Sequence, residues 1–301
     1  MSCPLSTVNY QLSTINSTTW SAVDNLEFKN LTGEEFDDYL KNHHEKDFLV
    51  IDVRQESEYE LGHIPGAKLM PLAEVETRLF SLSADRDLIF YCDNGGRSQW
   101  AASLAGESEV CQKSVFNLMG GLRNWHGTTL TGYPKVQIFD LDQAPDRLLA
   151  TAMNLEKGAW RFYRLASDIY SDDPIGRTFE QIAIAEKGHA TLIYRFWQEL
   201  ETDPPPFDQL YQSLTGDILE GGRSFEHTWS MLEAEAGRSC PAVIDLALII
   251  EYTAFDLYRV MAERSAGSET RETFLALAQA EKAHMRALAR SVAQCTDPEN
   301  A

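Results

Sequence analysis

The chain has 301 residues, more than one compact core usually holds, so two domains of ordinary size are expected. Its 46 acidic residues outweigh 26 basic ones for a formal charge of -20, and no basic patch interrupts that balance, which argues against nucleic acid and an anionic membrane as partners. The opening MSCPLSTVNYQL lacks the basic start and apolar block of a signal peptide, and the longest apolar stretch, AVIDLALIIEYTAF, is short and carries Asp245 and Glu251, so a cytoplasmic location is expected.

In chain order, residues 1–25 are rich in Ser, Thr and Asn and read as a loosely held N-terminal arm. From 26 to 140, β-rich runs (FLVIDV at 48–53, LIFYC at 88–92, SVFNL at 114–118) alternate with helical patterns such as TGEEFDDYLKN, which predicts an α/β domain with a mainly parallel sheet. From 141 to 301 the strand signals vanish and apolar residues recur at helical spacing, so this half reads as all-α. Breaks at SDDPIG, TDPPPF, RSCPAV and AGSET divide it into four long helices in two hairpins, joined by a crossover with short helices of its own. That is a four-helix bundle with one long connection.

The five cysteines are odd in number and widely spaced, with no Cys-x-x-Cys pair, so reduced thiols are expected and a rubredoxin-type iron site is not. Cys92 is distinctive because it closes an apolar run and is followed by DNGGRS. A strand passing through such a loop into a helix leaves backbone N–H groups of Asp93, Asn94, Gly95, Gly96, Arg97 and Ser98 free to surround an anion. The expected consequence is a thiol with lowered pKa, with Arg97 as an orienting cation. Cys111 is read as a structural cysteine, a resolving thiol being the alternative, and Cys240 and Cys295 as incidental.

CDNGGRS resembles the Cys-x-x-Gly-x-Arg-Ser loop of the rhodanese-type sulfurtransferases, and IDVRQESEYELGHIPGA (51–67) and GGLRNWHGTTLTGYP (120–134) resemble two further stretches of that family. The resemblance implies a rhodanese-like domain in which Cys92 takes sulfane sulfur from a donor, thiosulfate or a protein or small-molecule persulfide, and passes it to a thiol acceptor. It gives Asp52, Arg54 and His63 structural roles. Four residues separate Cys92 from Arg97, as in the sulfurtransferases, whereas the related phosphatases use a longer loop. Asp93 and the single loop cation, within an acidic protein, make thiosulfate dianion the poorer donor.

The helical half repeats itself. Residues 156–189 and 251–284 share 11 identities in 34 positions, including Glu156/Glu251, Tyr163/Tyr258, Glu186/Glu281 and His189/His284. Glu and His at i and i+3 lie on one face of a helix, within one turn. Two Glu-x-x-His helices plus two helices with one Glu each resemble the ligand set of the ferritin-like carboxylate bundles, rubrerythrin among them. By that resemblance Glu156, Glu186, His189, Glu251, Glu281 and His284 hold two non-haem iron ions per chain, with manganese as the alternative. Rubrerythrins carry a further carboxylate three residues after the third-helix glutamate, where this chain has Ala254, and a rubredoxin domain, so an external electron donor is implied. Tyr163 and Tyr258 share the ligand face and either bond the ligands or pack the core. Glu220, Glu226 and His227 in the crossover are expected to be solvated.

The fold class expected is thus an α/β rhodanese-like domain followed by an all-α ferritin-like bundle. Three functions stay open: a sulfurtransferase coupled to a di-iron centre, a peroxide-reducing oxidoreductase, and an iron- or persulfide-responsive binding module. Such bundles often pair, so a homodimer is expected.

Overall fold

The computed structural model describes residues 28–296 apart from 83, 109–110, 141, 236–239 and 266; the expected arm at 1–25 lies outside the described residues. Five strands, β1 (Lys29–Leu31), β2 (Phe48–Asp52), β3 (Lys68–Leu69), β4 (Asp87–Tyr91) and β5 (Val115–Leu118), pair in parallel in the order β1-β5-β4-β2-β3. Strand side chains alternate between two faces. Leu49, Ile51, Leu88 and Phe90 pack with helices α3 (Leu72–Arg78) and α4 (Gly96–Gly106). Val50, Ile89, Tyr91 and Phe116 pack with Phe36 of α1 (Gly33–Asn42) and Tyr59 of α2 (Glu56–Leu61). With both faces covered, β2 is buried throughout, which is why it reads as a continuous apolar run rather than an alternating one.

The helical half consists of the hairpin α5 (Pro145–Ile169) and α6 (Pro174–Leu200) against a second hairpin. Proline opens both of these helices, where its missing N–H costs nothing. The crossover holds α7 (Phe207–Ser213), a two-stranded antiparallel ribbon of β6 (Ile218–Leu219) and β7 (Arg223–Ser224), and α8 (Phe225–Glu235). The second hairpin is α9 (Cys240–Arg264) and α10 (Ser268–Thr296). Phe139, upstream of α5, is already part of the bundle core. Among the described residues no helix is long and apolar enough to cross a membrane.

The two halves meet through a buried polar seam. Arg259 of α9 is 1% exposed; its guanidinium donates to the carbonyls of Glu45 and, at 3.2 Å, Phe48, and lies 3.3 Å from the Glu45 carboxylate. Lys282 of α10 reaches the same carboxylate at 2.7 Å. Asp256 accepts from the Gly66 amide at 2.7 Å and lies 3.1 Å from His63, and Glu263 pairs with Arg86 at 2.6 Å. Although burial would raise the Glu263 carboxyl, the Arg86 bond and the nearby cations bring it down to about 2.

Among the described residues Cys92 and Cys111 are free thiols. The expectation of reduced thiols fails at Cys240, which is disulfide-bonded.

Candidate functional site

Cys92 directly follows β4, at the carboxyl end of a central strand, where open parallel sheets place their ligands. The loop turns at Gly95, whose φ of +90° caps α4; a Cβ there would meet the Gly120 amide at 2.8 Å. The thiol is buried, with the Gly95 amide donating to Sγ at 3.2 Å and the Ser98 hydroxyl at 3.5 Å. Burial pushes the thiol up, but the Ser98 hydroxyl and the amides of Ser98, Asn94 and Gly95 outweigh it and leave the pKa lowered. Cys111, half-buried, is pushed the other way by burial.

Arg97 forks onto Glu58 with bonds of 2.7 and 2.6 Å, and that bond holds the Glu58 carboxyl at about 2. Asp93 is paired with Arg123 at 2.8 Å, a second cation that the spacing of the loop did not reveal. Asn94 accepts from the Gly96 amide at 3.2 Å, closing the turn. Asp52 and Arg54 form a buried bidentate pair beneath the loop, and Arg54 also donates to the Gly62 carbonyl at 2.6 Å. His63 stacks on Tyr59 with ring centroids 3.8 Å apart and joins the seam through Asp256.

The second constellation lies in the bundle. Glu156 of α5, Glu186 of α6, Glu251 of α9 and Glu281 of α10 are all fully buried, and His189 and His284 lie among them, ring centroids 5.1 Å apart. His189 Nδ1 is 3.2 Å from Glu156 and 2.9 Å from Glu186; His284 Nδ1 is 3.0 Å from Glu251, 3.0 Å from Glu186 and 3.2 Å from Glu281. Three groupings of these side chains have ligand atoms within 4.8 Å of one another, and Glu186 belongs to all three. Each tyrosine crosses to the other repeat: Tyr258 donates to Glu156 at 2.6 Å and Tyr163 to Glu251.

The donor set fits a pair of metal ions. Glu281 Oε1 is buried with no partner, and the single His284 Nδ1 is all that meets Glu186 Oε1, Glu251 Oε2 and Glu281 Oε2, an arrangement costing several kcal/mol per group unless the charge is neutralised. Mixed carboxylate and imidazole donors suit iron or manganese. One further acid belongs here that sequence reasoning set aside. Glu220, expected to be solvated, is 0% exposed and faces Glu156, Glu186 and Glu281. Glu226 and His227 are exposed.

A sheet domain with a cysteine loop at its carboxyl edge, followed by a carboxylate–histidine bundle, defines a two-module protein with a thiol site and a metal site. The family models agree: a rhodanese-like domain matches residues 35–128 and rubrerythrin matches 243–300. The chain belongs to the rhodanese family through its first domain and carries a rubrerythrin domain in its second. It is 33% identical over 84 residues to a sulfurtransferase of Allochromatium vinosum, covering 27% of this chain and 77% of that one. It is 30% identical over 80 residues to a thiosulfate sulfurtransferase of Pseudoalteromonas translucida, covering 27% and 74%. A putative sulfur carrier protein of Bacillus subtilis is 39% identical over 80 residues, and the match spans 42% of that protein's length and 27% of this chain. Among solved structures, a rhodanese-like domain protein of Staphylococcus aureus aligns over 35% of this chain and 98% of its own, with 26% identity and a TM-score of 0.31.

Proposed function

We propose that the chain is a sulfurtransferase that carries sulfane sulfur as a persulfide on Cys92, beside a metal pair held by the bundle. The observation that carries this reading is the Cys92 thiol at the floor of a loop whose Gly95 amide and Ser98 hydroxyl both point at Sγ. Those donors favour the thiolate, the nucleophilic form. The Cys92 thiolate attacks the outer sulfur of a persulfide donor; an Sγ–S bond forms, the donor's S–S bond breaks, and the donor leaves as its thiol. An acceptor thiolate then attacks the outer sulfur and Cys92 is restored as thiolate. The same amides cradle the longer anion.

The donor in this reading is a protein or low-molecular-weight persulfide rather than thiosulfate. Both cations beside the loop are already paired, Arg97 with Glu58 and Arg123 with Asp93, which leaves little to attract a dianion. The test is to mix the full chain with a low-molecular-weight persulfide and look by mass spectrometry for one added sulfur on the Cys92 peptide. Loading that Cys92→Ser abolishes supports the reading; no sulfur on Cys92, or transfer that survives the substitution, overturns it.

For the bundle, the unpartnered Glu281 Oε1 and the one His284 nitrogen shared among Glu186, Glu251 and Glu281 favour a metal pair, iron by preference, bound by Glu156, Glu186, His189, Glu251, Glu281 and His284. When bound, iron would supply one-electron redox chemistry, which suits a peroxide-reducing activity fed by an external electron donor. The protein's part is to hold the ligands in a buried site and to fix two of them with Tyr163 and Tyr258.

A further inference from the structure

The six ligands expected from the repeat come in symmetry-related pairs, but Glu220 has no counterpart. It stands in the short 3-10 turn Glu220–Gly222 that joins β6 to β7, outside all four long helices. The ribbon is fastened to the bundle on both sides of this residue. Asn154 of α5 accepts from the Gly216 amide at 3.0 Å, and Arg161 donates to the carbonyls of Thr215 and Gly216 at 2.6 and 3.0 Å. Glycines allow backbone to lie directly on the helices: a Cβ at Gly158 of α5 would meet the Ile218 carbonyl oxygen at 2.2 Å. One at Gly221, whose φ is +67°, would meet Thr253 Oγ1 of α9 at 2.4 Å.

The ribbon therefore holds Glu220 at full burial against Glu156, Glu186 and Glu281. No N–H or hydroxyl donor meets either of its oxygens; the Glu156 carboxyl is the one neighbour within bonding reach, and it can bond Glu220 only when one of the two holds a proton. A buried carboxylate facing three others is unfavourable unless a proton or a metal cation neutralises the group, and a metal ion can serve all four at once. A purely structural crossover would have no reason to bury an acid at that point, because Leu219 beside it already packs the core.

We infer that Glu220 is a fifth carboxylate of the dimetal site, delivered by the crossover ribbon and serving the metal ion nearest Glu156. This rests on the metal-pair reading above. It makes the site asymmetric: one ion draws on the repeat alone, the other on the repeat plus the connection between its halves.

The test is anaerobic titration of the full-length metal-free chain with Fe(II), scoring bound metal per chain and affinity by chelator competition, for the native chain, Glu220→Gln and Glu220→Ala, with unfolding of each metal-free form measured alongside. The expected result is two ions in the native chain, and in both variants a loss of at least about tenfold in affinity for one ion only, the metal-free forms staying folded. Two ions bound with unchanged affinity in the folded Gln variant would overturn the role of Glu220 while leaving the metal pair intact. A native chain that binds no metal pair would overturn both, so the two failures are distinguishable. Lowered metal-free stability with unchanged metal affinity would assign Glu220 to packing and also overturn the inference.

Discussion

The Tyr258 hydroxyl donates to Glu156 at 2.6 Å, although the two residues belong to different copies of the internal repeat. Tyr163 and Glu251 make the reciprocal contact. The copies are thus interlocked through their buried glutamates. Replacing Tyr258 with Phe leaves one oxygen of a fully buried carboxylate without its donor, which costs about 1–3 kcal/mol. Thermal unfolding of the metal-free chain should show that loss. Metal titration should show affinity down about tenfold or more, as when a ligand loses its outer support. An unchanged melting temperature would mean that the hydroxyl only fills space.

Glu186 faces both histidines, so it should behave differently from the other buried carboxylates. Glu186→Ala is expected to remove both ions, whereas Glu156→Ala should chiefly weaken one. Bound metal per chain after dialysis separates these outcomes. Saturating the native chain at about 100 times the dissociation constant should raise stability by about 2.7 kcal/mol, and a chelator should reverse it.

The Cys92 thiol is lowered because the Ser98 hydroxyl and loop amides stabilise its charged form against burial. Removing a donor to the thiolate raises its pKa, so Ser98→Ala should shift the pH profile of Cys92 alkylation to higher pH. The rate at neutral pH should fall accordingly. An identical profile in the variant would assign the stabilisation to the backbone alone.

Glu263 is held near 2 by Arg86 and neighbouring cations. Its folded pKa lies below the ordinary carboxylate value, so its contribution to stability is complete above that ordinary value and fades as pH falls toward 2. Glu263→Gln leaves Arg86, itself 3% exposed, without its buried partner, and should cost about 3 kcal/mol at neutral pH. The native chain and the variant should converge in unfolding free energy under acid.

Much of this was legible because chemistry and period coincide in the sequence. β2, β4 and β5 are short runs buried on both faces, and so read as mainly apolar blocks, broken only by Asn117 in β5 and an Asp at one end of β2 and of β4. β1 and β3 are three and two residues long and only partly buried, too brief for any period to register. The six clustered bundle residues were visible because the repeat set Glu-x-x-His at one spacing twice. Glu220 was not, because an acid in a loop carries no periodic mark; the cue lay in Gly221 and Gly222 after it, which let the turn press onto Thr253 of α9 and onto Lys135 and Ile138. Arg123 escaped for a simpler reason: it meets Asp93 across 30 positions of chain.

The seam around Arg259 has a consequence for how such a protein can be taken apart. Severing the gene near residue 140 would strand a guanidinium on one fragment and the Glu45 carboxylate on the other, each shaped to be hidden. Asp256 would likewise lose His63 and the Gly66 amide. The halves are therefore not modules strung on a tether. α9 bears Glu251 for the carboxylate cluster and Asp256, Arg259 and Glu263 for the sheet domain, so a single rigid rod belongs to both, and an insult to either half should be felt in the other's melting.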